Sequence, residues 1–199
     1  MLPDAAARVA MAAACERFRK SHRIGGTAVG VEGLHLTLCP MGRSDQLRRP
    51  LEEALLAAGA EVHERGFTAT LDAAMRFTAR DGQFPFVLCA DGPTNEATLG
   101  LRKAIAAAQA RAGLHVSGVS SFLPHVSLLH GHAIDAIEES MAPIQWRVSD
   151  FVLIRSFFGE SRFEVVGRWQ LAEALEKPST DLLDELANMP DLPDLPDAY

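Results

Sequence analysis

Two short segments of this 199-residue chain repeat one pattern: His35-Leu36-Thr37-Leu38 and His125-Val126-Ser127-Leu128, each a histidine, a hydroxyl two places on, then leucine. Alternation decides how such a segment folds. In an extended strand, residues i and i+2 project from one face, so His35 points with Thr37 and His125 with Ser127. Leu36, Leu38, Val126 and Leu128 face the other way and are expected to be buried. The pattern therefore asks for two half-buried strands, each carrying one proton carrier and one hydrogen-bonding hydroxyl on an apolar back. The copies lie 90 residues apart, a separation suited to two similar halves. Together they point to two imidazoles working on one phosphate.

Around these strands, helix and strand signals are mixed. Apolar spacing predicts a helix from Asp4 to about His22, with Arg17, Arg19 and Lys20 complementing the dipole at its end. Ser44 or Asp45 is the expected cap of a second helix running to about Ala58, before Gly59. A third, from Asn95 to Ala112 with Thr94 as its cap, ends at Gly113, and a short one is expected near Ala133 to Met141. Strands are expected from Thr68 to Thr78 with a break near Asp72, from Pro85 to Ala90, and around Arg147 to Ser156 and Arg162 to Trp169. Elements in this order predict an α+β fold with largely antiparallel sheets.

At 199 residues and 48% hydrophobic content, the chain can bury a core as one compact unit or two closely packed lobes. Its formal charge of −7 argues against a nucleic-acid substrate only until the charge is located. Residues 173–199 hold eight Asp/Glu and one Lys, which accounts for all of it, and the body is balanced. Pro178, Pro190, Pro193 and Pro196 interrupt this acidic tail, which reads as solvated and disordered rather than as a docking peptide. A neutral body is unlike a duplex-coating protein but is compatible with a local basic groove for one RNA end. Cys15, Cys39 and Cys89 have no zinc-like spacing and suit a reduced, cytoplasmic setting. No apolar run is long enough to span a bilayer, and charges interrupt the alanine-rich start where a secretory pattern would lie, so no membrane association is expected.

At the two motifs the chain resembles the 2H phosphoesterase family, named for a pair of His-x-Thr/Ser motifs, and within it the bacterial RNA 2′,3′-cyclic phosphodiesterases, also called 2′-5′ RNA ligases. The likeness extends to Leu34 through Gly42, to Phe122-Leu123-Pro124, to Pro143-Ile144-Gln145-Trp146 and to Gly167-Arg168-Trp169-Gln170-Leu171. It covers about residues 1 to 171. The resemblance implies two pseudo-symmetric lobes of mainly antiparallel sheet, with flanking helices, around a central cleft. A bilobal domain would then occupy residues 1–172 and the tail residues 173–199. It further implies a monomeric enzyme that needs no metal and no cofactor, with RNA ends bearing a cyclic phosphate, or related nucleotides, as its partners. One departure concerns the beginning. Family members usually open with a short apolar strand ahead of the Leu-Pro that here follows Met1, so either the lobe does without it or translation begins upstream of Met1.

Opening a 2′,3′-cyclic phosphate requires a water deprotonated on one side and a ribose oxygen protonated on the other. Imidazole titrates near neutrality, so one histidine can be neutral as base while another is charged as acid. The resemblance implies that His125 activates the water and His35 protonates the departing 3′ oxygen, leaving a 2′-phosphate. Thr37 and Ser127 would hold the non-bridging oxygens. The resemblance also allows reversible 2′-5′ RNA ligation as a second activity.

Other residues take plainer readings. His130 or Arg155 is a candidate for a further phosphate contact. A metal cluster of His125, His130 and His132 is disfavoured, because Asp135 and Glu138 suit a solvated helix face. His22, His63 and His115 read as helix-end or loop residues. Cys39 shares the face of Thr37 and reads as a small buried side chain. Arg43, Phe84 and Phe157 are weaker candidates for contacts with RNA. Three alternatives stay open: a phosphodiesterase of small cyclic or 2′-5′-linked nucleotides, a non-catalytic RNA-end-binding module, and a regulatory protein acting through its tail.

Overall fold

The computed structural model describes residues 1–41, 49–77, 84–114, 122–131, 137–157 and 162–173. Helix α1 (Ala5–His22) begins where the Asp4 carboxylate accepts the Ala7 N–H at 2.8 Å, and stops at Arg23, whose φ of 51° is left-handed. Strand β1 (Thr27–Ala28) then pairs with strand β4 (His125–Gly131) through Thr27–His130 and Ala28–Leu129. A 3-10 turn (Val31–Gly33) bows the chain outward, after which Leu36 rejoins the edge of β4 opposite Val126.

The first motif is therefore not the continuous strand expected from its alternation. Its pairing with β4 is one isolated bridge, and on the side away from β4 the segment is bonded through the backbone of Leu36. Its N–H donates to the Met1 carbonyl at 3.0 Å, and the Met1 amine donates to the Leu36 carbonyl at 2.8 Å. Side-chain alternation survives all the same: Leu36 and Val126 are fully buried, Leu128 nearly so, while His35, Thr37, His125 and Ser127 are not.

Strands β2 (Phe67–Arg76), β3 (Phe84–Ala90) and β5 (Glu138–Val148) complete an antiparallel sheet of order β1-β4-β3-β2-β5. The expected break near Asp72 is a register shift between Leu71 and Ala73, opposite residues 141–143 of edge strand β5. That irregularity accommodates Pro143, which has no N–H for a ladder. Pairing with β2 also overrides the local helix signal, so the chain is strand from Glu138 where a helix was expected; residues 132–136 lie outside the described residues. A second sheet consists of strands β6 (Asp150–Phe157) and β7 (Arg162–Gln170).

Helix α2 (Arg49–Ala60) contacts β7 and helix α3 (Gly92–Arg111); the proposed caps Ser44 and Asp45 lie outside the described residues, as does the tail from residue 174. The cap of α3 is Asp91, not Thr94: its carboxylate accepts the Thr94 N–H at 2.8 Å. Pro93 fits the first turn, where an N–H is not needed. Thr94 is buried instead, and its hydroxyl accepts the Thr70 N–H at 2.9 Å, tying α3 to β2.

This is an α+β fold of two lobes with mainly antiparallel sheets. One apolar cluster runs through it, from Met11 and Phe18 of α1 through Leu36, Phe86 and Val126 to Phe151 and Leu171. No helix among the described residues is long and apolar enough to cross a membrane, and Cys15, Cys39 and Cys89 are free thiols. Where α2 meets the β6–β7 hairpin, Trp169 stacks on Phe151 with ring centroids 5.1 Å apart and presses its six-membered ring against Gly59 and Gly167. A methyl group at Gly59 would overlap that ring. Gly59→Ala is expected to cost about 1–3 kcal/mol through overpacking, measurable as a lower denaturant midpoint, whereas Gly100→Ala, in open space on α3, should not destabilise.

Candidate active site

The bridge between Leu36 and Val126 organises the polar groups around it. In an antiparallel register that pairs these two residues, His35 stands opposite Ser127 and Thr37 opposite His125. Directly opposed Cβ atoms are about 4.5–5.5 Å apart and diagonal ones about 7–8 Å. Two imidazoles are thus set diagonally across one face, each beside the other segment's hydroxyl. The structure brings together all four residues singled out by the repeated pattern.

Both imidazoles are tethered in the same way. His35 Nδ1 lies 2.8 Å from the Gly33 carbonyl, and His125 Nδ1 lies 2.8 Å from the Leu123 carbonyl, two residues back in each case. A carbonyl only accepts, so the bond puts the proton of the neutral ring on Nδ1 and leaves Nε2 with a lone pair. Protonated, each ring offers an Nε2–H at the same place.

The two sides differ in surroundings. Burial pushes the His35 pKa below the usual imidazole value; the Gly33 hydrogen bond opposes that shift, and the Met1 amine and His125 add to it. The Met1 amine is itself buried, which lowers its pKa to about 5, with Asp150 opposing. Beside His35 and Thr37 opens a cavity of about 1040 Å³, lined by residues 35–41, by residues 151–157 of β6, and by Met1, Gln109 and Trp169.

Several further candidates find their places. Strands β3 and β4 shift register opposite Leu128, so Leu128 and Leu129 are both buried and exposed His130 returns to the face of His125 and Ser127. Arg155 lines the cavity but is ion-paired with Glu52 and, at 3.0 Å, with Glu164. Cys39 is only half-buried and lines the same cavity, which corrects its reading as a core side chain; burial raises its thiol pKa, opposed by Arg102. Phe157 lies in the cavity wall under the Arg162 guanidinium, and Phe84 lies beneath that of Arg76. His22 sits at the end of α1, 3.3 Å from Glu139, and His63 is exposed just after α2. Arg43, His115, His132 and Asp135 lie outside the described residues, among which no group of three metal-ligating side chains occurs.

One contributor was not legible as a site residue. Arg102 is buried in α3, its Nη1 donating to the Leu38 carbonyl and its guanidinium 4.6 Å from the centre of the Phe122 ring. It thereby touches the chain just after the first motif and just before the second. In sequence it stands beside Leu101 within an apolar helical stripe, where an arginine ordinarily reads as an exposed neighbour.

Comparison with known proteins adds a family and a set of shared folds. Residues 3–156 match the family described as the 2′-5′ RNA ligase superfamily. LigT of Escherichia coli in its apo form is similar in structure, with a TM-score of 0.63 and 26% identity over 86% of this chain and 94% of LigT. TT0787 of Thermus thermophilus shares the fold, with a TM-score of 0.60 and 22% identity over 83% of this chain and 92% of that one. No curated protein matches the chain in sequence.

The buried amine makes stability depend on pH. A free Met1 amine has its pKa lowered from 8.0 to about 5 on folding, so between those values the unfolded chain holds a proton that the folded one does not. Stability is then greatest above pH 8 and falls as pH drops towards 5, by about 4 kcal/mol in all at 1.36 kcal/mol per unit. His35 adds a fall of the same sign below its usual value. Denaturant unfolding between pH 5 and 8 should show this slope, and acetylation of the Met1 amine should remove the amine's share.

Proposed function

Because the chain belongs to the 2′-5′ RNA ligase superfamily, we propose that it hydrolyses 2′,3′-cyclic phosphate ends of RNA to 2′-phosphates by two-histidine acid–base catalysis. The observation that carries this reading is the matched pair of imidazoles, each tethered through Nδ1 to the carbonyl two residues back and set diagonally about the Leu36–Val126 bridge. Such a pair suits an in-line displacement, in which the attacking and departing oxygens lie on opposite sides of phosphorus. E. coli LigT has been crystallised with 3′-AMP and with phosphate, which supports a nucleotide phosphate as the ligand class here.

In the proposed reaction, His125 Nε2 takes a proton from water as its oxygen bonds to phosphorus. The bond from phosphorus to the 3′ oxygen breaks, and His35 Nε2–H gives that oxygen its proton. The ring opens to a 2′-phosphate and a 3′-hydroxyl, and proton exchange with solvent resets the two imidazoles. Thr37 and Ser127 donate to the non-bridging oxygens, where charge builds in the transition state. The burial that makes His35 harder to protonate also makes its protonated form a stronger acid, which suits the role of proton donor. With a 5′-hydroxyl in place of water as the nucleophile, the same proton transfers would form a 2′-5′ linkage as the bond to the 3′ oxygen breaks. His130 lies on the same face and would meet a further phosphate of the RNA chain.

An RNA ending in a 2′,3′-cyclic phosphate, incubated in EDTA, should be converted to the 2′-phosphate. His35→Ala and His125→Ala should each lower turnover by several orders of magnitude without unfolding the chain. Thr37→Ala or Ser127→Ala should cost about 10²–10³ in kcat, as for loss of one oxyanion donor. Near-normal rates in either histidine variant would remove that residue from the mechanism. The pH profile tests the roles separately. As the acid, His35 must carry its proton, so kcat/KM should decline as pH rises through its lowered pKa, and the falling limb should begin below 6.5. A limb that instead rises with pH and disappears in His35→Ala would exchange the two roles.

A further inference from the structure

Each motif histidine has a second fixed neighbour besides its carbonyl tether. Phe163, near the start of β7, meets the His35 ring in a T-shaped contact with centroids 5.6 Å apart and planes at 71°. Phe77, directly after β2, meets the His125 ring at 4.8 Å and 73°. Both phenylalanines are half-buried, and both stand at the end of a hairpin where its two strands are connected. The Phe77 N–H donates to the Pro85 carbonyl at 2.9 Å where β2 faces β3, and Phe163 pairs with Ser156 at the corresponding end of β6–β7. Two stretches that share only an Arg-Phe step, Arg76-Phe77 and Arg162-Phe163, thus deliver the same ring to the same kind of contact, once per motif.

A hydrogen bond from Nδ1 fixes one atom of an imidazole and leaves the ring free to tilt about it. A phenyl ring packed nearly at right angles removes that freedom, since edge-to-face geometry is the favoured arrangement for neighbouring aromatic rings. We propose that Phe77 and Phe163 are positioning residues, each holding the plane of one imidazole so that its Nε2 stays aimed at the phosphate between the motifs. The inference rests on the two-histidine reading above. Reaction rates are sensitive to such aim, a misplacement of about 1 Å costing about 10²-fold. The competing role for these rings is to stack on a base of the RNA, which would act on binding rather than on the chemical step.

The test uses Phe77→Leu and Phe163→Leu, which keep an apolar side chain and lose the ring, beside Phe77→Tyr and Phe163→Tyr, which keep the ring. With cyclic-phosphate-ended RNA, each leucine variant should lose about 10- to 100-fold in kcat with KM within about twofold, and each tyrosine variant should recover most of that loss. In the free protein, ¹⁵N imidazole spectra should show one Nδ1–H tautomer at both histidines. Phe77→Leu should introduce tautomer averaging at His125 alone and Phe163→Leu at His35 alone. If a leucine variant fails to fold, the methionine variant at that position takes its place. A raised KM with kcat intact would overturn the proposal in favour of base stacking, and so would unchanged kinetics and imidazole spectra. If the wild-type chain does not turn over this RNA, the two-histidine reading fails on its own. The imidazole spectra then still decide the positioning role: selective averaging upholds it, and unaltered spectra overturn it.

Discussion

The pairing of Leu36 with Val126 is the contact on which the cleft depends. Both side chains are fully buried, and burial of such a side chain stabilises a fold by about 1.5–3 kcal/mol. Because neighbours along an extended chain point to opposite faces, driving these two into the core turns His35, Thr37, His125 and Ser127 the other way. A slip of one residue would send all four polar groups inward and the leucines outward. The arrangement of the polar face is therefore held by an apolar contact that takes no part in it. Arg102 reinforces the junction from behind, joining the segment that leaves one motif to the segment that enters the other.

Among the described residues, the cations beside the His35 cavity are not free to meet an anion as they stand. Arg155 is already neutralised by Glu52 and Glu164, and the buried Met1 amine is uncharged at neutral pH. On the proposed reading the positive charge comes with the His35 proton. An approaching phosphate favours the protonated form of that imidazole, so binding and proton uptake become one event. Until then burial holds His35 towards its neutral form.

How much of this was legible in the sequence varies with the range of the interaction responsible. The α+β class, the three long helices and most of the strands followed from local patterns, and the repeated His-x-Thr/Ser segments marked the four residues that meet. The errors fall where distant partners decide. The first motif forms one bridge rather than a full strand, and the other backbone partner of Leu36 is Met1, far away in sequence. Residues from Glu138 became strand because β2 offered a ladder that local helix propensity could not match. Asp91 displaced Thr94 as cap because Thr94 was needed to bind the backbone of β2. Phe77, Phe163 and Arg102 went unmarked for a related reason. An aromatic ring beside a hairpin turn and an arginine in a helical stripe are common features, and only the tertiary fold reveals what each one touches.

A rotation axis passing near Leu36 and Val126 would exchange the two motifs, and that has a consequence for direction. Groups related by such an axis treat left and right alike, so two imidazoles and two hydroxyls cannot by themselves distinguish the 2′ side of a ribose from the 3′ side. The distinction has to come from whatever the axis does not map onto itself. Here that means the walls: a deep cavity, a buried chain end and β7 on the side of His35, against a flank bounded by the end of β2 at His125. On the proposed reading, the orientation in which a nucleotide lies would be set by residues that never exchange a proton. Redirecting such a site to a different bond would begin with those walls, leaving the four motif residues as they are.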